Sequence, residues 1–159
     1  MNKFFVILLF PLIAFSALAS PAHVERTRQS QIEKDPARDA FVQQVLALVN
    51  KERSRYKLKL LVLDKDLTEV AQLHAQDMAR RDYFSHKNPE GKSGGDRITN
   101  AGIPWHTWGE NIANSYKTPE EVMQGWMNSK GHRANILGAD FGRIGIGFYE
   151  YYWVQNFTD

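Results

Sequence analysis

Residues 108–137 read WGENIANSYKTPEEVMQGWMNSKGHRANIL, and the fold follows from this stretch. Its middle, Thr118-Pro119-Glu120-Glu121, carries the start signal of a helix. Threonine caps, proline takes the first helical position, and glutamate three residues on closes a capping box. Val122, Met123, Trp126 and Met127 supply one apolar face. Ser129-Lys130-Gly131 ends that helix, and residues 132–137 add one more short turn. The flanks carry chemistry instead. Glu110 sits between Gly109 and Asn111, and His132 between Gly131 and Arg133. Downstream the period changes from helical to alternating. Ile144, Ile146 and Phe148 interleave with Gly145, Gly147 and Tyr149, and residues 152–157 follow Glu150-Tyr151, which predicts a β-hairpin.

Upstream, Leu67, Val70, Ala71, His74, Ala75 and Met78 fall on one helical stripe. Asp66 with Glu69 has capping-box spacing at its start. On such a stripe His74 is expected to be a core histidine bonded through one nitrogen. Phe41, Val42, Val45, Leu46, Leu48 and Val49 fit an earlier amphipathic helix, with Asp39 as its expected N-cap. Residues 58–63, LKLLVL, fit an extended connection. Tyr83-Phe84-Ser85-His86 then leads into a loop, residues 87–95, with three glycines and a proline. A histidine at that loop's mouth is free to face a cavity. Residues 96–101 fit a helical turn ending at Gly102. Helices first and strands last predict an α+β fold with helices over an antiparallel sheet. Gly145 and Gly147 imitate half a dinucleotide fingerprint, but no helix follows them.

The ends and the composition narrow the function. Residues 1–19 carry Lys3, an apolar run and Ala17-Leu18-Ala19, the pattern of a secretory signal peptide cut after Ala19. The run is short for a membrane span and contains Pro11. The expected products are a polar, flexible lead at 20–38 and one domain at 39–159, periplasmic or secreted, monomeric and not integral to a membrane. The chain has no cysteine, so disulfides and thiolate chemistry are excluded. A net charge of +2, falling to about +1 without Lys3, argues against nucleic acid as the partner. Arg26, Arg28, Arg53, Arg55, Arg80 and Arg81 are dispersed and are expected to be solvated.

Several of these motifs occur together in one known family. Phe84-Ser85-His86, Gly109-Glu110-Asn111-Ile112-Ala113, residues 126–137 and the glycine-alternating hairpin resemble the bacterial branch of the CAP superfamily. Its members are also called SCP domains. The resemblance covers about residues 40–157. It implies a three-layer α-β-α sandwich with a central antiparallel sheet, and a cleft lined by two histidines and two acids. His86, Glu110 and His132 match three of these, and Ser129 stands near the place of the second acid. Two imidazoles and a carboxylate suit Zn²⁺ or another divalent cation with a position open to water. On this pattern His86 and His132 are the expected metal ligands, with Glu110 a direct or outer ligand. Asn111, Ser129 and Ser85 are then candidates to line the cleft or orient the histidines.

Three functions remain open. One is a binding module for a small apolar or lipid-like ligand, or for a protein partner, since family members bind sterols, lipids or proteins. Trp105, Trp108, Trp126 and Tyr83 are then candidates for an aromatic rim. Another is a hydrolase, either metal-dependent with Glu110 as general base or serine-dependent through Ser85 or Ser129. The last is a structural protein whose cleft residues only brace the fold.

Overall fold

The computed structural model describes residues 35–159. The expected signal peptide and most of the expected lead lie outside the described residues. The first helix, α1, spans Pro36–Arg55. Its N-cap is Asp35, which accepts from the amides of Ala37 and Arg38, and Pro36 sits at the first position. This corrects the expected cap at Asp39, which lies in the first turn. The Asp-Pro pair supplies cap and preset φ together, so it wins over an acid further on.

A two-residue strand, β1 (Val62–Leu63), leads into α2 (Lys65–Arg80). Here the cap is Asp64, bonded to the amide of Leu67, and not Asp66. The predicted stripe Leu67, Val70, Ala71, His74, Ala75 and Met78 is buried throughout. Next come α3 (Gly94–Asn100), β2 (Trp108–Ala113), α4 (Pro119–Asn128) and α5 (Lys130–Ile136). The Thr118 capping box forms as predicted. The chain closes with β3 (Arg143–Tyr149) and β4 (Tyr152–Thr158).

The sheet order is β1-β3-β4-β2. β3 pairs antiparallel with β4, and β4 with β2. β1 pairs parallel with β3, so the expected antiparallel sheet has one parallel edge and is mixed. The chain leaves β1 through α2 and returns to β3 by a long crossover, the connection a parallel pair requires.

The two sheet faces are covered differently. On one face α1, α4 and α5 pack Val42, Val45, Val49, Val122, Trp126 and Ile136 against Ile144, Ile146, Trp153 and Phe157. On the other, α2 lays Ala71, Ala75 and Met78 on Ile112 and Val154. Gly145 and Gly147 make this close approach possible. A Cβ on Gly145 would lie 2.2 Å from the backbone of Leu67, and one on Gly147 2.4 Å from that of Ala71.

Candidate functional site

The site forms along the outer edge of β2. Side-chain alternation sends Glu110 to the α2 face and Asn111 to the α5 face. Glu110 is almost wholly buried, with 1% of its side chain exposed, whereas His86 is 54% exposed. Nδ1 of His86 lies 2.9 Å from Oε1 of Glu110. Arg97 of α3 donates to Oε2 at 2.6 Å, and also to the carbonyls of His86 and Lys92 at 3.1 and 2.9 Å. Thus Arg97 holds both the carboxylate and the loop carrying the histidine. Gly94 and Gly95 let α3 come this close, because a Cβ on either would meet Trp108 at 2.8 Å.

His74 supports the same loop from below. It is buried, and Nε2 lies 3.1 Å from the Ser85 carbonyl, so Nε2 carries the hydrogen. Burial, with Arg97 nearby, lowers its pKa to about 4. The expected core role is the one it has, but the carbonyl it holds directly precedes His86.

His132 reaches the cleft from α5, in the opposite layer. Burial lowers its pKa, and the nearby His86 lowers it further. Its backbone is fixed by Asn111, whose Nδ2 donates to the His132 carbonyl at 3.1 Å and to Gln155 at 3.0 Å. Asn135 donates to Oδ1 of Asn111 at 2.8 Å and to the Glu110 carbonyl at 3.1 Å. Of the two expected roles, lining the cleft or orienting a histidine, fully buried Asn111 has the second, through the His132 backbone.

An open cleft of about 460 Å³ adjoins His132. Phe84, Ile112, Ala113, Tyr116 and Trp126 line it with apolar groups, and Asn114, Ser115, Ser129 and His132 with polar ones. Of the four expected rim aromatics, only Trp126 lines it. Trp105 and Trp108 pair edge-on and pack with Ile98 and Ile103, while Tyr83 donates to Asp77. Phe84 and Tyr116 take their place. Ser85, a candidate nucleophile, accepts from the Lys87 amide and closes a loop turn.

The donor set bears on the expected metal. Both Glu110 oxygens are engaged, by His86 and by Arg97, so Glu110 orients an imidazole and is not poised as a direct ligand. Among the described residues no group of three or more His, Cys, Asp or Glu is arranged to hold a metal ion. Two imidazoles fall short of the three protein ligands of a catalytic zinc centre, so these residues do not fit one.

Comparison with known proteins places this geometry. Residues 46–157 match the sequence profile of the cysteine-rich secretory protein family, CAP. The Bacillus subtilis protein YkwD is 40% identical over 144 residues, 89% of this chain and 56% of its own length. The Bacillus subtilis membrane protein YlbC is 37% identical over 114 residues, 72% of this chain and 33% of its own. The chain thus spans about half or less of the length of these relatives. An extracellular SCP-domain protein of Bacillus anthracis superposes with a TM-score of 0.74 at 34% identity, over 90% of this chain and 45% of that one. An outer surface protein of Borrelia burgdorferi shares the fold, with a TM-score of 0.67 at 20% identity over 72% and 89% of the two chains. With the profile covering most of its length, the chain belongs to the cysteine-rich secretory protein (CAP) family.

Proposed function

We propose that this chain is an exported recognition module whose cleft takes a small ligand, or a segment of a partner, with an apolar body and a polar end. The cleft itself carries the reading. Phe84, Ile112, Tyr116 and Trp126 offer apolar surface beside the polar groups of Asn114, Ser115, Ser129 and His132. Pockets of this size and lining bind by burying apolar surface and orient their ligand through a few polar groups. His86, held by Glu110 on Nδ1, keeps Nε2 without a hydrogen-bond partner among the described residues. Export is supported by the first 19 residues and by relatives described as extracellular or outer-surface proteins. Among the described residues no helix is long and apolar enough to cross a membrane. A divalent cation would meet only two imidazoles, so metal is not part of this reading.

The test uses cis-parinaric acid, a fluorescent fatty acid, titrated into wild type, Ser129→Trp and His132→Ala. Saturable binding that Ser129→Trp abolishes and His132→Ala weakens about tenfold, the size of one lost charge-assisted hydrogen bond, supports the reading. Equal binding by all three rejects the cleft as its site. No binding by any of them rejects an acyl-chain ligand.

A second reading, a metal-free hydrolase, has one observation in its favour. The His86–Glu110 pair has the geometry of a general base oriented by a carboxylate. Release of nitrophenol from short acyl esters, absent in both His86→Ala and Glu110→Gln, would favour it over recognition alone.

A further inference from the structure

The connection between α1 and β1 exposes apolar side chains beside cations. Tyr56, Leu60 and Val62 are 49%, 50% and 64% exposed. Lys57 and Lys59 lie between them and are exposed as well. The backbone enforces this display. Leu61 is buried, and the Asn50 amide grips its N–H and C=O at 2.8 and 3.0 Å. With Leu61 turned inward, its neighbours Leu60 and Val62 turn outward.

The surface continues onto α5. Buried Arg53 donates to the carbonyls of Lys59, Ile136 and Gly138, which locks the connection against the end of that helix. Arg133 lies over the Tyr56 ring at 5.6 Å and donates to its hydroxyl. Lys130 and Arg133 rim a shallow depression with Met127, Ala134 and Leu137. Lys57, Lys59, Lys130 and Arg133 thus share a region with exposed apolar groups, in a chain whose net charge is only +2.

We propose that this face docks on a lipid bilayer bearing anionic phospholipid headgroups. The mix of groups favours a bilayer over a protein. Lysine is depleted in protein–protein interfaces, whereas here it alternates with leucine and tyrosine. At a bilayer, aliphatic side chains enter the headgroup boundary, tyrosine sits at its level, and lysine stems extend to the phosphates. Each cation close to an anionic surface adds to the attraction, which salt screens. None of Tyr56, Lys57, Lys59, Leu60 and Val62 lines the cleft, so their variants test docking apart from the cleft's ligand.

The experiment is vesicle co-sedimentation of the chain freed only of residues 1–19. Vesicles of equal parts phosphatidylglycerol and phosphatidylcholine are compared with phosphatidylcholine alone, at low and high salt. Binding is expected to be about tenfold or more stronger on the anionic vesicles and to fall with salt. Lys57→Glu with Lys59→Glu, and separately Leu60→Ser with Val62→Ser, should each weaken it about tenfold or more. Lys130→Glu with Arg133→Glu is a second charge reversal from another element, should the first fail to fold. Melting curves establish that each variant is folded. The proposal fails if anionic vesicles are not bound, if phosphatidylcholine is bound equally, or if folded double variants bind like wild type. It also fails if soluble polyphosphate binds wild type and the Leu60/Val62 variant equally and displaces the vesicles, since that identifies a polyanion site.

Discussion

Glu110 and Arg97 form an ion pair at 2.6 Å, with side chains 1% and 14% exposed, beneath a histidine that is half in solvent. A buried carboxylate is tolerable only while it is paired and fully hydrogen-bonded. Arg97 and His86 together meet that demand. Removing either ion leaves the other buried without its counter-charge, so Arg97→Ala and Glu110→Ala should each cost about 3–5 kcal/mol. The double variant should cost clearly less than the two singles together. Urea denaturation of the four proteins checks this. Additive losses would mean that solvent already screens the pair.

Stability should also fall on the acid side. The folded-state pKa of His74 is lowered to about 4, from an ordinary value of 6.5. Between those values the unfolded chain binds a proton that the folded chain refuses. The stabilising contribution is therefore complete above about pH 6.5 and is lost as pH falls toward 4, by about 3 kcal/mol. His132, also lowered by burial, acts with the same sign. His74→Gln keeps an N–H for the Ser85 carbonyl and has no titration. It should flatten the dependence of unfolding free energy on pH across that window, as denaturant melts at stepped pH will show.

What could be read in the sequence was what local chemistry decides. The Thr118 capping box, the stripe from Leu67 to Met78 and the alternation from Ile144 to Phe148 each contain their own explanation. His86, Glu110 and His132 stood out because motif, not spacing, marked them. What escaped was set by partners distant in sequence. Nothing near Arg97 points to Glu110, although a buried acid requires a cation from somewhere. Asn111 looked available for a ligand because Gln155 and Asn135 cannot be placed beside it without the fold. Arg53 left a signal that dispersed charge obscured. It continues the helical spacing of Val42, Val45 and Val49, which places it on the buried stripe of α1.

The sheet glycines should prove as intolerant as any core position. At Gly145 and Gly147 the atoms met by an added Cβ belong to the α2 backbone, so no side chain can swing aside. Gly145→Ala or Gly147→Ala must push α2 off the sheet, at a cost of about 3 kcal/mol or more, the upper end for overpacking. Gly131 is the control. It lies inside α5 with nothing within 4 Å of an added Cβ. Gly131→Ala should stabilise by about 0.5–1 kcal/mol through helix propensity. Thermal melts that rank the variants in the opposite order would overturn the account of α2 packing.

Arg53 is the sharpest test of how the layers are joined. Its guanidinium is buried and donates to the carbonyls of Lys59, Ile136, Gly138 and Phe141, at 2.8, 2.8, 2.8 and 3.3 Å. Burial lowers its pKa, yet an arginine remains charged. The partner is the carbonyl end of α5, where the helix dipole favours a cation. Arg53→Met keeps the bulk but leaves those carbonyls without their donor, and should cost about 3–5 kcal/mol. Arg53→Lys keeps the charge but lacks the planar fork that reaches several carbonyls at once, and should recover less than half of the loss. Because α5 carries His132, hydrogen exchange in residues 130–137 should rise in both variants before the rest of the domain opens. Exchange that rises uniformly would assign Arg53 to global stability alone, without a specific hold on the histidine's helix.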